Sequence, residues 1–267
     1  MSIASPTPFG DTLRAWRGRR GLSQLDLALS AGVSQRHLSF LESGRSRPSH
    51  EMVHLLASML DMPLRQQNAL MLAAGFAPAW RETALDAPDM ADVNRALDFL
   101  LQKHEPYPAF VVDRLWNLRR ANDGAVRLIQ KLFGAMPEGP LNLMHLTFSP
   151  EGLRPLIVNW EEAARWLLPR LHAEVLNAGP DDEAAATLLR ELMAYPGMPK
   201  PGAAATAGTL SPVLTMEFRH GDTSLSLFST VTTLGTPRDV TLQEIHIECF
   251  FPADAASATA LERLASG

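Results

Sequence analysis

Four consecutive residues and one a turn beyond them have the types and spacing of a surface that reads a polymer. Ser34 stands where an N-cap should, and Gln35, Arg36 and His37 follow it directly, with Ser39 one turn further along. On the first turn of a helix, glutamine can pair bidentately with adenine and arginine with guanine, each pair discriminating by about 1–3 kcal/mol. Arg45 and Arg47 come next in the loop GRSRPS, suited to phosphates rather than bases. Gln24 opens the preceding helical run, where free N–H groups at a helix end can help hold an anion. Phe40, near the end of the same face, either touches a thymine methyl or belongs to the core.

Bond-making chemistry finds no comparable foothold. G-x-G-x-x-G, G-x-S-x-G, HExxH and CxxC are all missing. A self-cleaving serine–lysine peptidase needs a lysine beside an exposed serine, and the three lysines (Lys103, Lys131, Lys200) offer none in a strand context. His246-x-Glu248 would project to one side of a strand and could supply two metal ligands. No third is evident, so a solvated strand face is the expectation. Cys249 falls on the apolar face of that strand and should pack there. The reading is therefore a protein that is not an enzyme, with neither metal nor cofactor.

The bulk numbers agree with a binding protein. The chain has 267 residues, 46% hydrophobic and 20% charged, enough for one large domain or two modest ones. Residues 1–75 carry eight arginines against five acidic residues, a net +3, while the remainder holds 16 basic and 24 acidic residues, a net −8. A basic head on an acidic body suggests that only the head meets a polyanion. One cysteine excludes an internal disulfide framework and fits a reducing compartment. With no apolar run near the roughly 18 residues that span a bilayer and no leader-like N-terminus, a cytoplasmic protein without membrane contact is expected.

The elements that must position the reading residues are legible in the head. Ser23, Ser34 and Ser49 cap periodic runs, and Gly21, Gly32 and Gly44 stand where the chain must leave a helix with positive φ. Helices are predicted at about 9–19, 24–31, 35–42, 50–60 and 64–72, with Leu13, Leu25, Ala28, Val33, Leu38, Leu41, Met52, Leu56 and Leu60 inward. The turn AGVS joins the second to the third, a helix-turn-helix. SQLDLALSAGVSQRHLSFLESGRSRPS resembles the XRE-type, phage-repressor-like DNA-binding domain, through Ser23-Gln24, Leu27-Ala28, Ala31-Gly32-Val33-Ser34, Leu38-Ser39, Leu41-Glu42, Gly44-Arg45 and Pro48-Ser49. The resemblance implies a five-helix lambda-repressor-like fold, helix 35–42 in the major groove and Gln24 against a phosphate. It also implies an ion pair between Arg17 and Glu42. A domain of this size covers half an operator, so a homodimer on pseudo-palindromic double-stranded DNA is expected.

Residues 76–106 read as a linker and a connecting helix, with Val93, Leu97, Leu100 and Leu101 on one face. From 107 the pattern is two strands, helices, then three strands, an antiparallel sheet covered by helices: α+β overall. Asn122 should cap a helix through Phe133, Ser149-Pro150-Glu151 should open another, and Pro169 should kink or restart a third. MPKPGAAATAG reads as a small-residue loop, and VTLQEIHIECFF as one strand despite the capping-box spacing of Thr241 and Glu244. Residues 254–267 are a tail or short helix.

YPAFVVDRLWNLRRAN, VNWEEAAR and the C-terminal strands resemble the PAS-like ligand-binding domain of MmyB-type XRE regulators, over about 107–253. That resemblance implies a small apolar ligand, with long-chain fatty acids the leading class. Trp116, Phe148, Trp160, Met216 and Phe228 are candidate pocket residues, and His145, Arg120 or Asn122 could meet a carboxylate. Ten methylenes would gain roughly 8 kcal/mol by burial before costs. The rival is a body that only dimerises or binds another protein, as in some antitoxins. An enclosed apolar cavity would favour the sensor, and a solid core with a large exposed apolar patch the interaction module.

Overall fold

Each of three serines starts a helix. In the computed structural model, which describes residues 8–136, 139–179, 182–199 and 213–266, the chain opens with α1 (Pro8–Arg19). Ser23, Ser34 and Ser49 then accept hydrogen bonds from the backbone N–H of Asp26, His37 and Met52 (3.1, 3.1 and 3.2 Å). They begin α2 (Gln24–Ser30), α3 (Gln35–Glu42) and α4 (His50–Met59), and α5 (Leu64–Ala73) follows. The Asp26 carboxylate returns the favour to Ser23 N–H at 2.9 Å, closing a capping box. Gly32 leaves α2 with φ +66°, the left-handed region that a side chain resists, and so permits the tight turn into α3.

The core of this unit is built on Leu13, Trp16, Leu27, Leu38, Leu41 and Leu56, all essentially inaccessible to solvent. Leu25, expected inward, is 49% exposed. A helix of seven residues has one inward stripe, and once Leu27 and Ala28 occupy it Leu25, two positions or about 200° away, points to water.

Glu42, at the end of α3, is completely buried, and its carboxylate is met on every side. Arg17 donates from Nε to Oε1 at 2.6 Å and from Nη2 to Oε2 at 3.1 Å, and Gln24 Nε2 donates to Oε2 at 2.7 Å. Arg14 Nε stands 3.6 Å away. α1 can come this close because Gly10 has no side chain: a Cβ there would lie 2.4 Å from the Glu42 carbonyl oxygen. The ion pair implied by the resemblance is present. Burial alone would push the Glu42 carboxyl up, but the Arg17 and Gln24 hydrogen bonds and the arginine charges hold it below the usual glutamate value of 4.5.

The chain forms two compact units, one of residues up to Glu82 with segments 174–183 and 237–243, the other of the remainder from Thr83. In the second unit α6 (Ala91–Lys103) buries Leu97 and Leu101, while Leu100, predicted to share that face, is 39% exposed. β1 (Ala109–Val112) and β2 (Leu118–Ala121) form a hairpin turned by Asp113, whose Oδ1 accepts from the N–H of Leu115 and Asn117 (2.8 and 3.0 Å). Asn122 caps α7 (Asp123–Phe133) as expected, accepting from Ala125 N–H at 2.9 Å. The helix expected from Pro150 instead lies earlier, as α8 (Leu143–Phe148), because Asn142 takes the capping position and accepts from the N–H of Met144 and His145. α9 (Trp160–Ala178) runs through Pro169 as a single helix, so the proline does not restart it. α10 (Glu183–Met193) follows. The loop predicted at 198–208 lies, from residue 200 on, outside the described residues.

β3 (Thr215–His220) and β4 (Thr223–Thr233) turn through Gly221-Asp222, with Gly221 at φ +57°. The single strand expected from Val240 divides into α11 (Val240–Glu244) and β5 (His246–Pro252). Asp239 decides this, because its Oδ1 accepts from Thr241 N–H at 2.9 Å and starts a helical turn before the alternating residues begin. α12 (Ala255–Ser266) closes the chain. The five strands form one antiparallel sheet in the order β2-β1-β5-β4-β3, so β5 is central. Fold and sequence agree on α+β: a helical head and an antiparallel sheet with helices.

Removing Arg17 takes away the cation hydrogen-bonded to a buried carboxylate, leaving it the Gln24 amide and the more distant Arg14. Arg17→Met should therefore destabilise the protein by about 3–5 kcal/mol at pH 7. The sign with pH follows from the lowered Glu42 value: its contribution is complete above about 4.5 and is lost as pH falls through the folded value. Urea unfolding followed by circular dichroism should show the gap between wild type and variant closing as the pH is lowered through this range. A pH-independent gap would contradict this assignment.

Candidate functional site

The exposed face of α3 is held by an aromatic ring. Phe40 is half-buried, and the guanidinium carbons of Arg36 and Arg45 stand 5.3 and 5.8 Å from its ring centroid. Each contact contributes about 0.5–1 kcal/mol at an exposed site and restricts the rotamers of a long side chain. Of the two roles open to Phe40, the ring combines partial burial with support for two cations. Gln35, Arg36, Arg45 and Arg47 are exposed, and His37 and Ser39 are partly so. Ser34 uses its hydroxyl oxygen as the cap of α3. Gln24 has its amide nitrogen committed to Glu42, which leaves the amide oxygen outside that pairing. The structure thus gathers Ser34, Gln35, Arg36, His37 and Ser39 on one short helix with Arg45 and Arg47 in the loop after it, and ties Gln24 to that helix from α2.

The second unit contains an apolar cavity of about 70 Å³ between the sheet and its helices. Leu128 and Leu132 of α7, Met144 of α8, and Leu227 and Phe250 of the sheet form much of its wall, with Trp116 and Met216 beside them. Glu248 is the one ionisable lining residue, and it is 4% exposed. Its Oε1 accepts from Ser229 Oγ at 2.6 Å and from Arg170 Nη1 at 3.3 Å; Oε2 accepts from Arg170 Nη2 at 3.2 Å. The Arg170 guanidinium in turn lies over the Trp116 ring, 4.4 Å from its centroid. Trp116 is 2% exposed and has φ +65°, a left-handed conformation that costs a bulky residue about 1–3 kcal/mol. Its backbone is fastened on both sides: its N–H donates to Asp113 O, and its carbonyl accepts from Leu143 N–H, each at 2.9 Å.

His246, on the same face of β5 as Glu248, sits edge-on to Trp116 at 4.9 Å. Its Nε2 is buried without a hydrogen-bond partner, and burial pushes its pKa down. Cys249 points the other way, half-buried. Burial followed by the Glu248 charge raises its thiol pKa, so it is a poor nucleophile at neutral pH.

Among the residues singled out as pocket candidates, Trp116 and Met216 line this cavity. Phe148 is fully buried against Trp160, at 5.3 Å. Trp160 carries the Arg154 guanidinium at 4.8 Å beside a shallow surface groove. Phe228 stacks on Phe251 on the opposite face of the sheet, since Leu227 and Ser229 take the cavity parity along β4. Arg120 pairs with Asp98 and Asn94, Asn122 satisfies the Ala109 and Ala125 amides, and His145 meets Tyr195 Oη at 3.0 Å. None of these three lines the cavity. Sequence reasoning missed Glu248, Ser229 and Arg170. Glu248 was placed on a solvated strand face, an expectation that the central position of β5 overturns, because a helix layer covers that face. Among the described residues no cluster of three or more His, Cys, Asp or Glu could hold a metal ion, and no helix is long and apolar enough to cross a membrane.

Residues 93–264 match the model of the MmyB-like transcription regulator ligand binding domain, and residues 13–67 match a helix-turn-helix model. The chain is 34% identical over 84 residues to an uncharacterized HTH-type transcriptional regulator, RghRB, of Bacillus subtilis (strain 168). That stretch is 31% of this chain and 58% of the relative, so the match spans little more than half of the relative's length. Among solved structures, the restriction-modification controller protein C.AhdI of Aeromonas hydrophila is 33% identical over 23% of this chain and 92% of its own, with a TM-score of 0.22. An RNA-binding light-oxygen-voltage receptor aligns over 97% of this chain and 63% of its own, at 12% identity and a TM-score of 0.27.

The Arg170–Glu248 pair is partly wet, with 31% of the arginine side chain and 5% of the glutamate side chain exposed. Arg170→Met should cost about 3 kcal/mol, since it strands a buried carboxylate, whereas the double change Arg170→Met with Glu248→Leu should recover most of that loss. Thermal unfolding of the two variants checks this. Equal loss in both would mean that the pair contributes packing rather than charge compensation.

Proposed function

Because the chain belongs to the MmyB-like transcription regulators, we propose that its helix-turn-helix unit reads a pseudo-palindromic operator as one half of a homodimer, and that an apolar ligand in the cavity of the second unit alters that binding. The coarser statement needs no proposal: the chain is a helix-turn-helix transcriptional regulator joined to a ligand-binding domain. The observation that carries the finer reading is the pairing of a presented α3 face, with Arg36 and Arg45 braced on Phe40, and a partly enclosed apolar cavity elsewhere in the chain. By the criterion that separates sensor from interaction module, such a cavity favours the sensor. On this reading Gln35 and Arg36 read bases, with His37 and Ser39 beside them, while Gln24, Ser34, Arg45 and Arg47 face the phosphates.

The ligand is taken to be fatty-acid-like in its body, a flexible hydrocarbon chain held in a PAS-like domain. At about 70 Å³ the cavity is well below the roughly 300–1,000 Å³ of pockets that enclose drug-sized ligands. An acyl chain therefore enters by displacing wall residues. That requirement is what gives a ligand leverage: it binds an opened state better than the closed one, and only such a difference shifts an equilibrium.

The test is DNA binding by fluorescence anisotropy, on an operator selected from genomic fragments and on random duplex, over a range of salt. Arg36→Ala should lose about 1–3 kcal/mol on the operator and little on random DNA. Arg45→Ala should weaken both alike and reduce the salt slope by about one. Equal losses on both duplexes for Arg36→Ala would remove it from the base readers.

A further inference from the structure

The polar end of the cavity bears on which ligand it takes. We propose, building on the sensor reading above, that the ligand carries an uncharged hydrogen-bond donor at the end of its hydrocarbon chain, an alcohol or an amide, and that the Glu248 carboxylate accepts it. A free carboxylic acid would be the poorer ligand.

Three observations point this way. First, the lining is apolar apart from Thr147, Ser229 and Glu248, and Glu248 alone among the lining residues carries charge. Arg170, the cation that compensates it, does not line the cavity and has its guanidinium over Trp116. A head group entering from the cavity meets acceptor oxygen before it meets a cation. Second, a carboxylate offers about four acceptor positions. Ser229 and Arg170 fill two on Oε1 and one on Oε2, which leaves one on Oε2 for a donor. Third, the pair is already neutral. A ligand carboxylate would bring a second negative charge against Glu248 in a region of low dielectric, or would have to take Arg170 away from it. An ammonium head would give up its hydration to face a carboxylate whose charge Arg170 already balances. An uncharged donor adds one hydrogen bond with no charge to desolvate.

The experiment compares three probes with the same ten-carbon chain, 1-decanol, decanoate and decylamine, by calorimetric titration of the full chain at neutral pH. Decanol is expected to bind at least tenfold more tightly than either charged probe. Met216→Trp, which puts bulk into the cavity wall, should abolish decanol binding; undiminished binding would place the ligand elsewhere and overturn the proposal. Glu248→Gln should lower the decanol-to-decanoate affinity ratio by at least tenfold, and an unchanged ratio would overturn the role of Glu248. Ser229→Ala keeps the ion pair and opens a second acceptor position on Glu248, so it should raise the decanol-to-decanoate ratio; a lowered ratio would overturn the role of Glu248 even if the Glu248 variant does not fold. Decanoate binding as well as or better than decanol to the wild type would refute the head-group proposal while leaving the sensor reading intact. Failure of all three probes to bind would refute the sensor reading and, with it, this inference.

Discussion

A carboxylate taken out of water must take its partners with it, and each unit of this protein is organised around that constraint. Isolated burial of an ionised glutamate costs several kcal/mol, which only a well-placed cation and further donors offset. In the first unit the buried acid is Glu42. Its partners come from α1 and α2, so satisfying one side chain fixes how three helices cross, down to the Gly10 contact that no other residue could make. The orientation of α3, and so of Gln35 and Arg36 on its outer face, is a consequence. In the second unit the acid is Glu248 on the central strand. Ser229 of β4 and Arg170 of α9 complete it, and Arg170 carries the constraint on to Trp116.

The same device has two different outcomes because the two carboxylates differ in what is left over. Glu42 is closed: Arg17, Gln24 and Arg14 surround it, it is inaccessible, and it lies in the helical core that holds α3. Such a site can only lock. Glu248 lines a cavity and, on the proposal above, offers an acceptor position to a ligand there. A buried charge beside an apolar cavity combines orientation by one polar group with affinity from hydrocarbon burial, the usual division of labour in small-molecule sites. The first unit presents a polar helix face, and the second lines an apolar cavity.

Legibility in the sequence followed locality. Helix starts at Ser23, Ser34 and Ser49 and the turn at Gly32 could be placed within a residue or two, because a cap or a positive φ depends on a few neighbours. Leu25 went wrong where two registers of a seven-residue helix were both plausible and tertiary packing chose Leu27. Residues 240–244 held two conflicting local signals, alternation and a capping box, and the Asp239 side chain settled the matter in favour of helix. Glu248 was beyond reach for a deeper reason. Polar residues alternating along a strand look the same whether that strand lies at an edge with one face in water or at the centre beneath a helix layer. Only the sheet order, which long-range pairing determines, tells them apart. Phe228 shows the same limit: one residue of parity moves a ring from the cavity to the opposite face.

Regulation by this cavity requires that closing and opening it differ by an energy comparable with a typical allosteric coupling, about 1–3 kcal/mol. Two features at and behind the wall are of that size. Trp116 holds a left-handed backbone at a cost of about 1–3 kcal/mol, while Asp113 and Leu143 fasten its main chain and Arg170 covers its ring. His246 keeps a buried ring nitrogen unpartnered against the same tryptophan, a further penalty of about 1–3 kcal/mol. Both penalties belong to the closed state, and both act at Trp116. Displacing that ring to admit a hydrocarbon chain would give the imidazole access to a donor or acceptor, and the backbone would relax where the Asp113 and Leu143 main-chain bonds yield with it. On the sensor reading proposed above, part of the work of opening is then already stored at Trp116 and His246, which would leave a ligand held mainly by apolar contacts more free energy for shifting an equilibrium.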